Sequence, residues 1–74
     1  MQVSETRTIQ IMVNGESRAV PSGLTLSYLL RHLNITQDRV AIEFNRQIVR
    51  QPDWPSTPVE QGAQVEIVQF VGGG

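Results

Sequence analysis

The chain has 74 residues, 39% of them apolar and 18% charged, with a net charge of −1, which fits one globular domain near the lower limit of what a single core stabilises and leaves no room for a large internal active site. It contains no cysteine, so disulfides, thiolate catalysis and cysteine metal sites are excluded together. Its six basic residues, Arg7, Arg18, Arg31, Arg39, Arg46 and Arg50, are all arginine and are scattered, which speaks against nucleic-acid binding, and no apolar run reaches the length of a membrane span.

Met1 to Arg7 is polar, without the basic start and apolar stretch of a secretion signal, and reads as a flexible extension of a cytoplasmic protein. Thr8-Ile9-Gln10-Ile11-Met12-Val13 then alternates, placing Ile9, Ile11 and Val13 on one face of a half-buried strand. Asn14-Gly15 supplies the two positive φ angles of a type I′ turn, so Glu16 to Val20 is expected to return as an antiparallel partner. After the break at Pro21-Ser22-Gly23, Thr25 is placed to cap a short helix whose Leu26, Leu29, Leu30 and Leu33 form one apolar stripe. Asn34 suits the left-handed residue that ends a helix, and Ile35 can supply the closing apolar contact.

Val40 to Phe44 alternates again, with Val40, Ile42 and Phe44 on one side, and Asn45-Arg46 turns the chain into a short Gln47-Ile48-Val49 strand. Pro52, Pro55 and Pro58 are expected to exclude regular helix and sheet, leaving a long surface loop anchored by Trp54. Glu60 to Ala63 is a turn before a last strand, Val65 to Val71. The order of hairpin, helix, two shorter strands, loop and final strand is α+β: a mixed four- to five-stranded sheet covered on one face by one helix, the plan of the β-grasp, or ubiquitin-like, fold. The domain is expected over residues 8–71. In that plan the first and last strands are parallel neighbours, and the long segment between them serves as the crossover.

The chain offers few reactive groups. His32 falls in the last helical turn with no cysteine or clustered carboxylate nearby, so it is read as serving the helix end, not a metal or a triad. Glu5, Glu16, Asp38, Glu43, Asp53, Glu60 and Glu66 are dispersed along a surface. What remains is Gly72-Gly73-Gly74 and its terminal carboxylate. Three glycines neither pack a core nor continue a sheet, but they suit a flexible tail over residues 72–74 entering a narrow site. From Phe70 to Gly74 the chain can extend about 13–14 Å. If Val65 and Ile67, with Val71, face the helix, Glu66, Val68 and Phe70 face away from it beside Ala41; single exposed hydrophobes are ordinary surface, but two large ones flanking the tail favour a docking patch that holds a partner while the tail reaches its active site.

From Thr8 onward the chain resembles the ThiS family of small sulfur carriers of thiamin biosynthesis. The resemblance rests on the Asn14-Gly15 hairpin, the leucine-rich helix, Phe44-Asn45-Arg46-Gln47-Ile48-Val49 followed by Trp54, Gln61-Gly62, and Glu66-Ile67-Val68-Gln69-Phe70-Val71-Gly72-Gly73-Gly74. A terminal Gly-Gly alone is shared by ubiquitin-like proteins, whereas Phe-Val-Gly-Gly-Gly together with Asn-x-x-Ile-Val is more specific; residues 1–7 extend beyond the family's usual start. The resemblance implies a carrier that is not itself an enzyme and binds no cofactor. A ThiF-like enzyme, using ATP and magnesium, would adenylate the Gly74 carboxylate. A cysteine-desulfurase-derived persulfide would convert it to a thiocarboxylate, and the thiazole synthase ThiG would accept the sulfur. Gly72, Gly73 and Gly74 would enter the partners' active sites, with Val68, Phe70, Val71 and Ala41 as the partner-binding residues. No nucleic acid or membrane is implied. The alternatives are a MoaD-like small subunit of molybdopterin synthase, disfavoured because Phe70-Val71-Gly72 lacks the prolines usual there, a ubiquitin-like modifier, and a plain interaction module. With no lysine, the chain cannot form lysine-linked polymers of itself.

Overall fold

The computed structural model describes residues 7–70. Asn14 and Gly15 both adopt positive φ, 51° and 84°, and the turn they make joins β1 (Thr8–Val13) to β2 (Glu16–Pro21) in antiparallel register from Thr8↔Pro21 to Val13↔Glu16. Strand β2 runs one residue past its expected end. It lies at the sheet edge, where the N–H that Pro21 lacks is not needed for a ladder. One further bond, from Ser22 N–H to Arg7 C=O at 2.7 Å, extends the pairing beyond β1.

Helix α1 (Leu26–His32) starts at Thr25, whose hydroxyl accepts from Tyr28 N–H at 3.5 Å. Asn34 takes φ 62° and Ile35 N–H returns to Leu30 C=O at 2.9 Å, ending the helix as its sequence requires. Strand β3 (Val40–Phe44) turns through Asn45 and Arg46, both at positive φ, into β4 (Gln47–Val49). The final strand β5 is Gln64–Gln69. It begins one residue earlier than alternation predicts because Asn45 clasps Gln64 twice: Asn45 N–H donates to Gln64 C=O at 2.7 Å and Gln64 N–H to Asn45 Oδ1 at 2.9 Å.

The proline-rich segment departs from expectation. Gln51–Ser56 forms a 3₁₀ helix instead of an irregular loop. Pro52 sits in the first turn, where an N–H has no partner to lose, and a turn this short survives the missing donor of Pro55. Trp54 is the anchor, 2% exposed, with its indole N–H donating to Val49 C=O at 2.8 Å.

The strands lie in the order β2-β1-β5-β3-β4. β1 and β5 are parallel, while β3 is antiparallel to both β5 and β4. This is the β-grasp plan with five strands among the described residues. Ile11, Val13, Val20, Ile42, Val65 and Ile67 meet Leu26, Leu29 and Leu30 of the helix in one core, closed at its edge by Trp54, Val59 and Ala63. Its other face carries no covering element among the described residues, which leaves the outward side chains of β3, β4 and β5 in solvent.

Candidate functional site: the open sheet face and the end of β5

Because alternate side chains of a strand take opposite faces, burying Val65 and Ile67 sends Glu66 and Val68 outward. The β3–β5 register sets Ala41 directly across from Val68 and Glu43 across from Glu66. Phe70 continues the ladder beyond β5 through its N–H to Arg39 C=O at 2.8 Å, and alternation puts its ring on the same outer face as Val68. Val68 and Phe70 are each 55% exposed. The sequence expectation for Val68, Phe70 and Ala41 as neighbours on the uncovered face therefore matches the geometry. Val71, Gly72, Gly73 and Gly74 lie outside the described residues.

Two neighbours were not singled out from the sequence. Ile48 is 78% exposed and opposes Glu43, which makes it a diagonal neighbour of Ala41. Met12 is partly exposed next to Gln64 on the same face. The signal for both was available: Met12 alternates against Ile11 and Val13, and a two-residue turn at Asn45-Arg46 fixes Ile48 opposite Glu43. Ala41 and Ile48 also line an open groove of about 390 Å³ that runs between β3 and the 3₁₀ helix, with Val40, Pro52 and Trp54 on its walls.

The face is apolar at the end where β5 finishes and acidic behind it. Glu43 and Glu66 are exposed cross-strand partners, with Arg46 and Gln64 lining the same shallow depression. His32 is exposed at the end of α1, the helix that packs on the opposite, core side of the sheet. Among the described residues no three His, Asp or Glu side chains converge as metal ligands, and no helix is long and apolar enough to cross a membrane. The arrangement offers an apolar surface at the end of β5, which stops at Gln69, five residues before Gly74.

Comparison with known proteins agrees with this geometry. The family model described as the ThiS family matches residues 5–74. A thiazole synthase of Paramagnetospirillum magneticum is 35% identical over 66 residues, 89% of this chain, and the chain spans only 20% of that protein's length. The sulfur carrier protein ThiS of Escherichia coli is 32% identical over 66 residues, covering 89% of this chain and all of that protein, 100%. The crystal structure of the thiamine biosynthesis protein ThiS from Geobacter metallireducens superposes with a TM-score of 0.76 at 30% identity, covering 89% of this chain and 100% of that one. With matches that run through the hairpin, the open face and the glycine end alike, the chain belongs to the ThiS family.

Proposed function

We propose that this protein is a sulfur carrier for the thiazole branch of thiamin biosynthesis, a co-substrate of partner enzymes and not an enzyme itself. The observation that carries the reading is the family match through Gly74, joined to a fold in which β5 leads the chain toward that carboxylate from beside an exposed apolar patch. A segment matching this chain also occurs within proteins named thiazole synthase. That covalent association supports a thiazole synthase of the ThiG type as the acceptor.

The chemistry follows from the poor reactivity of a carboxylate. In a ThiF-like enzyme that binds ATP and magnesium, a Gly74 carboxylate oxygen attacks the α-phosphate, pyrophosphate leaves and an acyl-adenylate forms. The terminal sulfur of a persulfide, supplied by a cysteine desulfurase, attacks the acyl carbon and AMP departs. A thiol then cleaves the resulting S–S bond, supplying the two electrons that leave a thiocarboxylate on Gly74. The tether keeps that sulfur at high local concentration once the carrier is docked. Val68, Phe70 and Ala41, with Val71 beyond them, form the docking patch in this reading, and the folded domain is what the partners recognise.

Incubation with ATP, magnesium, a ThiF-type enzyme and a persulfide source is expected to replace one oxygen by sulfur at the C-terminus, seen by intact mass. An unchanged mass with an enzyme shown to be active on another carrier would sink the proposal. Sulfur transfer to a thiazole synthase, and none to a pterin-processing synthase, is expected to identify the acceptor.

A further inference from the structure

Strand β1 leaves the sheet early. Its parallel pairing with β5 covers only Met12↔Gln64 and Val13↔Val65, followed by one bond from Asn14 N–H to Val65 C=O at 2.9 Å. At Asn14 the backbone turns into the hairpin with φ 51°, so its carbonyl no longer points along the ladder. The side chain takes over. Ile67 N–H donates to Asn14 Oδ1 at 2.7 Å, and Asn14 Nδ2 donates to Ile67 C=O at 3.2 Å. In a parallel ladder those two positions would be filled by the carbonyl of the residue at this level and the N–H of the residue two further on. The amide of Asn14 reproduces both after the main chain has departed.

We infer that Asn14 is a positioning residue for the Gly74 carboxylate: its side chain adds one rung to the β1–β5 ladder and so fixes the direction in which β5 delivers Phe70 and the residues beyond it. Without this rung, β5 from Glu66 onward would be held by β3 alone. At that level β3 also pairs with β4, so β5 would become the free edge of a three-stranded sheet, tied down on one side only. An edge strand held on one side shifts and twists more freely, and the movement would reach Phe70, which the next hydrogen bond ties to Arg39 alone. A partner that grips the domain and must bring Gly74 to one reacting atom depends on that angle, since small misplacements of a reacting group cost large factors in rate. Asn45 clasps Gln64 at the other end of β5, so both hairpin-turn asparagines hold the strand that leads to the tail.

The inference rests on the sulfur-carrier reading, and Asn14→Gly tests it separately. Glycine keeps the positive φ of the turn and removes only the amide. The rate of C-terminal thiocarboxylate formation is measured by mass against carrier concentration, alongside amide hydrogen exchange. Val20→Ala, a buried change on β2 away from β5, controls for loss of stability. With Asn14→Gly, kcat is expected to fall about tenfold while KM for the carrier stays within about twofold, because Val68 remains paired with Ala41. The Ile67 amide is expected to exchange faster than in wild type, and Val20→Ala to retain wild-type kcat. Wild-type kcat in folded Asn14→Gly, an equal kcat loss in Val20→Ala, a defect confined to KM, or an Ile67 amide as protected as before would each overturn the inference while wild-type conversion still upholds the carrier reading. Failure of the wild-type protein itself to acquire sulfur would overturn that reading and this inference with it.

Discussion

At the scale of single residues, two questions separate: what a side chain does for the fold, and what it presents to a partner. Val68 and Phe70 are proposed to answer the second. Each is half exposed, whereas the buried side chains of β5 are Val65 and Ile67, so replacing either removes no core contact of comparable weight. Val68→Asp and Phe70→Asp are expected to raise the Kd for a ThiF-type enzyme at least about tenfold, as expected of apolar residues at the centre of an interface. Their denaturant midpoints should stay close to wild type. Binding measured by calorimetry that is unchanged in both variants would return the pair to ordinary surface. Arg46 answers the first question. It sits at φ 72° in the second turn position, a conformation that costs a residue with a Cβ about 1 kcal/mol. Arg46→Gly converts this turn to Asn-Gly, the pair that forms the first hairpin. Among the described residues the electrostatic loss is an exposed cation near Glu43 and Glu66, worth about a few tenths of a kcal/mol, the level of exposed pairs. The relief of strain exceeds that loss, so a net stabilisation of up to about 1 kcal/mol is expected, read as a higher urea midpoint at unchanged m. A lower midpoint would show that Arg46 makes a contact of greater weight than its exposure implies.

At the scale of elements, what sequence discloses depends on whether an element is held by local or distant partners. The Ile9, Ile11, Val13 alternation and the Leu26, Leu29, Leu30, Leu33 stripe are local periodicities, and β1 and α1 fall where those patterns put them. Asn14-Gly15 and Asn34 are equally plain because positive φ restricts residue choice. The 3₁₀ helix was hidden. Three prolines in seven positions argue against α-helix and sheet, yet a 3₁₀ helix of two turns needs few donors and tolerates Pro52 and Pro55. The exposed apolar face was half visible: Val68 and Phe70 follow from alternation alone, but Ile48 joins them only through the register that the Asn45-Arg46 turn imposes. The Asn14 clasp on Ile67 was invisible, since it joins residues 53 apart in sequence and no local pattern encodes it. The 3₁₀ helix itself depends on Trp54, whose ring fills the core edge and whose N–H satisfies Val49. Trp54→Phe keeps most of the packing and leaves that carbonyl without its indole donor, a loss of about 1–3 kcal/mol, whereas Trp54→Ala also opens a cavity and costs about 3–5 kcal/mol. Equal denaturant midpoints for the two would show that the hydrogen bond, and not the packing, holds the segment.

At the scale of the whole molecule, the core and the reactive end occupy separate stretches of chain. Every buried hydrophobic among the described residues lies between Ile11 and Ile67, while the carboxylate proposed to react is at Gly74. A domain of this length has about 4–11 kcal/mol of stability to lose, so a single core truncation is felt throughout. Leu30 is fully buried beneath the sheet, and Leu30→Ala is expected to cost about 2–5 kcal/mol. The molecules that remain folded still carry the same open face and the same C-terminus. Their sulfur acquisition per folded molecule should therefore match wild type. Deletion of Gly73 and Gly74 is expected to do the reverse, with an unfolding free energy changed by no more than about 0.5 kcal/mol and no thiocarboxylate at the new terminus. The pair of measurements crosses, one variant losing stability and keeping chemistry, the other keeping stability and losing chemistry. A truncation that lowers the midpoint as far as Leu30→Ala does would mean that the terminal glycines contribute to the fold, and the separation of handle from reactive end would then fail.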